Sequence, residues 1–149
     1  MERQQFIEKC NERLKLIRAE CSFSQEKMAG VLGLSKKTIV EIEKGRTTLG
    51  WAGSVALCTI FANSEVLSAA FGGNPKDAIL ALAFNGDEPV RPKTMGGKVW
   101  WKNLEEHSGY KLQQNIISKH YRVLDENGGR VCSSFEIEKI KEKWEAIEE

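Results

Sequence analysis

The chain is poor in the residues that build catalytic and metal centres. It has two histidines, His107 and His120, and four cysteines, Cys10, Cys21, Cys58 and Cys132. No two cysteines form a Cys-x-x-Cys pair, so zinc-ligand spacing is missing and the thiols are expected as small buried hydrophobes. Neither histidine has a cysteine or carboxylate constellation near it. No nucleophile–base pair or phosphate loop stands out, so the expectation is no enzyme, no metal and no cofactor. No apolar run is long enough to span a bilayer. The opening residues Met-Glu-Arg-Gln-Gln lack the basic start and apolar core of a secretory signal. A cytoplasmic protein with no membrane partner is expected.

Charge of one sign is also scarce. The net charge is +1, so bulk electrostatics cannot carry nucleic-acid binding; a local patch would have to. Residues 1–64 hold ten basic and seven acidic side chains, a mild basic excess that the remainder reverses. With 149 residues, 41% hydrophobic and 29% charged, the chain suits one ordinary globular domain or two small ones.

The most informative stretch is 23–45. Ser24 and Ser35 each precede a helical apolar pattern and follow an apolar residue, so that Phe23 can pack on Met28 and Leu34 on Ile39. This is a serine N-cap with a hydrophobic staple, occurring twice eleven residues apart. Gly33 and Gly45 sit where each helix must stop. Two capped helices, 25–32 and 36–43, joined by a glycine turn make a helix-turn-helix, which projects one short helix sized for the DNA major groove. Around them, Phe6, Ile7, Cys10, Leu14 and Ile17 mark a first helix over 4–20. A fourth begins near Gly50 with Trp51, Val55, Cys58 and Phe61, and Ser64 caps a fifth at Glu65–Phe71. The expected fold of 1–72 is an all-α five-helix domain.

Asn74-Pro75 starts a further helix carrying Ala78, Ile79, Leu80, Leu82 and Phe84. It could pack on the first domain or form a partner surface. Two prolines and three glycines within Asn85–Gly97 make that stretch a linker, so 73–97 reads as helix plus linker. Beyond it, 98–149 changes period. Strands are expected in Lys98–Leu104, Tyr110–Ile117, Tyr121–Leu124 and Arg130–Cys132. Tyr110, Leu112, Gln114 and Ile116 should share a face, and a turn is expected at Asp125–Gly129. Ser133 and Glu136 fit a capping box, followed by Ile137, Ile140, Trp144 and Ile147 at helical spacing. The second module is thus a small α+β fold, an antiparallel sheet plus a C-terminal helix, with a marginal core. Trp100 and Trp101 should alternate, one inward and one outward. Together with Trp144 they are the candidate interface residues for dimerisation or for a partner protein.

Residues 6–70 resemble the Xre or lambda-repressor-like helix-turn-helix family. The resemblance rests on Ser24-Gln25, Met28-Ala29, Gly33-Leu34-Ser35 and Ile42-Glu43-Lys44-Gly45. It implies a DNA reader in which Gln25 holds a phosphate at the start of the second helix, as helix N-termini do. Lys44 and Arg46 are placed for phosphate contact. Lys36 and Lys37 open the recognition helix; as cations there they oppose the helix dipole, which argues for a function. Thr38, Val40 and Glu41 lie beside them, Glu41 either reading cytosine or serving as a salt-bridge partner. Glu43 and the apolar Ile39 and Ile42 are structural in this scheme. One such helix reads few base pairs; a two-fold dimer reads an inverted repeat. The expected function is a sequence-specific transcriptional regulator of double-stranded DNA, a homodimeric repressor of phage, plasmid or mobile-element type. The alternative is an antitoxin-like autoregulator whose second module neutralises a partner protein.

Overall fold

The structure is a computed structural model and describes residues 1–89 and 99–148. The chain divides into two compact units, Met1–Val90 and Arg91–Glu149. The expected linker from residue 90 onward lies outside the described residues. No helix among them is long and apolar enough to cross a membrane.

The first unit is helical: α1 (Arg3–Glu20), α2 (Gln25–Leu32), α3 (Lys36–Glu43), α4 (Gly50–Ile60), α5 (Glu65–Phe71) and α6 (Lys76–Phe84). Its core gathers Phe6, Cys10, Leu14 and Ile17 of α1, Met28 and Ala29 of α2, Ile39 and Ile42 of α3, Leu57 and Cys58 of α4, and Leu67 of α5. Phe23 and Leu34 pack against this core. Cys10 and Cys58 are buried with their Sγ atoms 3.7 Å apart. Ile79 and Leu82 of α6 also pack on it, so that helix belongs with the helical unit.

The start of α4 has no side-chain cap from Leu49. Asn11 of α1 replaces it, its Oδ1 accepting the Leu49 amide at 2.9 Å, while Thr48 Oγ1 accepts that of Gly50 at 3.1 Å. Ser64 caps α5 as expected, and Glu20 joins it. The Ser64 hydroxyl donates to Glu20 Oε2, and the Glu65 amide donates to Oε1 at 2.8 Å.

The second unit is a four-stranded antiparallel sheet in the order β1-β2-β3-β4, followed by one helix. Its elements are β1 (Trp101–His107), β2 (Tyr110–Asn115), β3 (Tyr121–Leu124), β4 (Arg130–Ser134) and α7 (Ile137–Glu148). Leu112, Val123, Ile140 and Trp144 form its core, flanked by Tyr110, Tyr121, Cys132 and Ile147.

Several expectations need correction. The first strand runs to His107 instead of ending at Leu104, because Ser108-Gly109 (φ 49° and 86°) closes a two-residue hairpin that keeps the charged Glu105-Glu106 in register with β2. The second strand ends at Asn115, one residue before the expected Ile116: its Oδ1 accepts the amides of Ile117 and Ser118, turning the chain. Trp100 lies just before β1, where its carbonyl accepts the Ile116 amide at 2.8 Å, and Trp101 opens the strand opposite Asn115. The capping box at Ser133 does not form. Ser133 lies in β4 opposite Arg122, and the neighbouring Ser134 Oγ accepts the Glu136 amide instead. Trp144, expected among the interface candidates, is 3% exposed and packs within the unit's own core.

Candidate nucleic-acid interface

Helices α2 and α3 are built from local signals that close as the sequence requires. Ser24 Oγ accepts the Lys27 amide at 3.0 Å, and Ser35 Oγ accepts that of Thr38 at 3.1 Å. Gly33 ends α2 in the left-handed region (φ 71°), where a Cβ would be strained. Ile39, Ile42 and the side chain of Glu43 form the buried face of α3. Lys37, Glu41 and Lys44 follow at i, i+4 and i+7 along one stripe, and Lys36 and Val40 border it.

Lys36, Lys37, Lys44 and Arg46 are all exposed. Among the described residues, no carboxylate lies within ion-pair distance of Lys36, Lys37 or Lys44. Arg46 reaches Glu41 at 3.5 Å, a loose, open pair. Glu41 therefore sits as a surface salt-bridge partner, and Arg46 loses little by exchanging it for a phosphate. Thr38 is turned to its own cap, its hydroxyl 2.8 Å from Ser35 Oγ.

The centre of the arrangement is Glu43, whose side chain is 5% exposed. Its Oε1 accepts from Arg18 Nε at 2.9 Å and Nη2 at 2.8 Å, and its Oε2 accepts from Gln25 Nε2 at 2.8 Å. Arg18 also donates through Nη1 to the Phe23 carbonyl at 3.0 Å, so one guanidinium ties α1, the turn before α2 and α3 together. Both carboxylate oxygens are thus used. A buried carboxylate is tolerable only when paired and bonded in this way. Gln25 is consequently held at the first position of α2, with one Nε2 hydrogen and its own backbone amide left at the helix's positive end. Sequence reading named Gln25 and called Glu43 structural; it missed Arg18 and the bond between Gln25 and Glu43, because the three residues are distant in the chain.

The second unit places Trp101 half-buried beneath Arg122, whose Cζ lies 3.7 Å from the ring centroid. Trp100 is 48% exposed. His120 packs edge-on against Trp101, and no metal-ligating cluster occurs among the described residues. Burial pushes the Cys21 and Cys132 thiols up from their ordinary range, away from thiolate chemistry. Comparison with protein-family models, with curated proteins and with solved structures finds no match for the chain.

Proposed function

We propose that the chain is a sequence-specific DNA-binding transcriptional regulator of the Xre or lambda-repressor-like kind, acting as a homodimeric repressor. The observation that carries this reading is the pairing of a locked Gln25 with an exposed, unpaired lysine stripe on α3. Gln25 and its amide hold one phosphate, Lys44 and Arg46 others, and Lys36 and Lys37 enter the major groove. The four carbons of each lysine stem let the ammonium reach guanine O6 and N7.

Assembly is assigned to the second unit, whose Val99, Ile117, Val131 and Phe135 are exposed. Apolar side chains in that number on so small a unit support a protein partner. A second copy satisfies the need for two recognition helices one DNA turn apart. The same observation supports the antitoxin-like reading, in which a different protein occupies those side chains.

The test is selection of bound duplexes from a random pool, followed by binding at several salt concentrations. An inverted repeat is expected, with a salt slope falling by about one for each phosphate-contacting lysine removed. Retention of full affinity and the same selected sequence in the Lys36→Ala, Lys37→Ala double variant overturns the assignment. Sedimentation separates a dimer from a monomer that binds a second protein.

A further inference from the structure

The second unit carries a surface whose side chains belong to the same chemistry. Helix α7 covers one face of the sheet through Ile140 and Trp144. By strand alternation and register, the opposite face presents Trp101 and Asn103 of β1, Lys111 and Gln113 of β2, Arg122 of β3 and Ser133 of β4. Asn103, Gln113 and Arg122 are successive register partners and form one row across three strands. Strands lie about 4.8 Å apart, so the row is roughly 10 Å wide. That is within the roughly 12 Å of the duplex major groove.

The row is bonded end to end. Gln113 Nε2 donates to Asn103 Oδ1 at 2.6 Å, and Arg122 Nε donates to Gln113 Oε1 at 2.9 Å. The Arg122 guanidinium rests on Trp101, and its Nη groups make no hydrogen bond among the described residues. A stacked arginine with its terminal fork unspent is pre-organised for a planar acceptor pair. Charge is divided between the two sides of the unit. Lys111, Arg122 and Arg130 stand on the open face against Glu106. Asp125, at the strand's end, is spent on the Asn127 and Gly129 amides. Helix α7, on the other side, is net acidic.

We propose that this open sheet face is a second contact surface for duplex DNA. The Arg122 fork meets a base edge in the major groove, held in place by the buried Gln113 and through it by Asn103, and Lys111 and Arg130 meet phosphates. Arginine pairs with guanine through O6 and N7. A single strand fits less well, because the Trp101 ring is already taken by Arg122 on its face and by the His120 edge, leaving no free platform for a base. A protein partner fits less well too, since the row is polar and charged where interface cores are depleted in charge.

The experiment uses the full chain and selection from a random duplex pool. It compares the wild type with Arg122→Lys, Arg122→Ala and Lys111→Ala, and with the Lys36→Ala, Lys37→Ala pair. Amide dispersion of the sheet in NMR spectra confirms that each variant is folded. The wild type is expected to select a site extending beyond what one helix reads. Arg122→Lys keeps the charge but loses the fork; it should lose roughly 5- to 150-fold discrimination at one base pair while the α3-read segment stays. Lys111→Ala should weaken all sequences alike and lower the salt slope by about one. The α3 double variant should erase a different segment, so failure of either surface is read separately. Unchanged selected sequences and salt slopes in folded Arg122→Lys and Lys111→Ala overturn the proposal. So does Arg122-dependent binding that prefers single strands to duplex.

Discussion

Helix α1 sends Asn11 to the start of α4, Arg18 to Glu43 at the end of α3, and Glu20 to the start of α5. These bonds cross 25 to 45 residues of chain. In the second unit, Asn115, Asp125 and Ser134 bond amides only two to four residues away. The cores differ in the same direction. Five helices contribute fully buried apolar residues to the first, whereas Leu112, Val123, Ile140 and Trp144 are the buried set of the second. The second unit also leaves Val99, Trp100, Leu104, Ile116, Ile117, Val131 and Phe135 exposed. The helical unit is thus tied to itself at long range and presents a charged surface. The sheet unit is a chain of local hairpins around a thin core, and it exposes apolar and aromatic side chains besides its polar open face. The lesson is a division of labour: the first unit can hold the short helix α3 in place on its own, while the second leaves apolar side chains uncovered around a thin core.

The largest expected effect breaks the thinner core. Trp144→Ala should cost about 4 kcal/mol. A unit of this size rarely holds more than about 3–5 kcal/mol, so the sheet amides should lose their dispersion at 25 °C. Leu14→Ala, at a fully buried site of the helical unit, should cost about 3 kcal/mol and leave that unit folded. NMR spectra of the two variants compare the units directly. A folded sheet in Trp144→Ala would show that the second core is not the weaker one.

Next comes the polar centre of the first unit. Glu43→Ala leaves Arg18, whose side chain is 19% exposed, without its carboxylate and frees Gln25. Breaking such a pair should cost about 3 kcal/mol. Replacing both partners, Arg18→Met with Glu43→Leu, should recover most of that stability in urea titrations, because two apolar groups leave no stranded charge. DNA affinity should not recover with it, because Gln25 still lacks its anchor. Recovery of both would show that Gln25 needs no positioning. A smaller effect tests the cap that opens α3: Ser35→Ala should cost about 1 kcal/mol by releasing the Thr38 amide. That shift is measurable in thermal melts.

The same contrast explains what was legible in the amino-acid order. The caps Ser24, Ser35 and Ser64 and the glycine stop at Gly33 act within a few residues, and all took their expected places. The partners supplied by Asn11, Arg18 and Glu20 were not legible, because nothing local distinguishes them from other polar residues on the long helix α1. In the sheet unit, strand existence was legible from β-forming residues and the Asp125–Gly129 turn, whose left-handed Gly128 has φ 79°. Strand limits were not. Lys102 to Glu106 has no clean alternation, and its pairing is set by the Ser108-Gly109 hairpin and by an irregularity between Asn103 and Glu105. Ser133 and Ser134 offered two equivalent caps, and only pairing with β3 decides between them. The Asn103–Gln113–Arg122 row was invisible for the same reason: it exists across strands, not along them.

The gentlest probe of the long-range ties is pH. Glu20 titrates below the ordinary glutamate range, chiefly because its carboxylate accepts the Ser64 hydroxyl and then because it accepts the Glu65 amide. A carboxyl whose folded pKa is depressed contributes stability above its unfolded pKa and loses it as pH falls through the folded one. Glu20→Gln keeps an acceptor for the α5 cap but removes the charge. The stability gap between wild type and Glu20→Gln should therefore be constant above about pH 5 and close as pH falls through the lowered folded pKa of the wild-type carboxyl. Urea titrations across pH 3 to 7 measure it. A gap that persists undiminished at low pH would mean that the charge of Glu20 contributes nothing. The tie between α1 and α5 would then be a matter of hydrogen-bond shape alone, no stronger in kind than the local turns of the sheet unit.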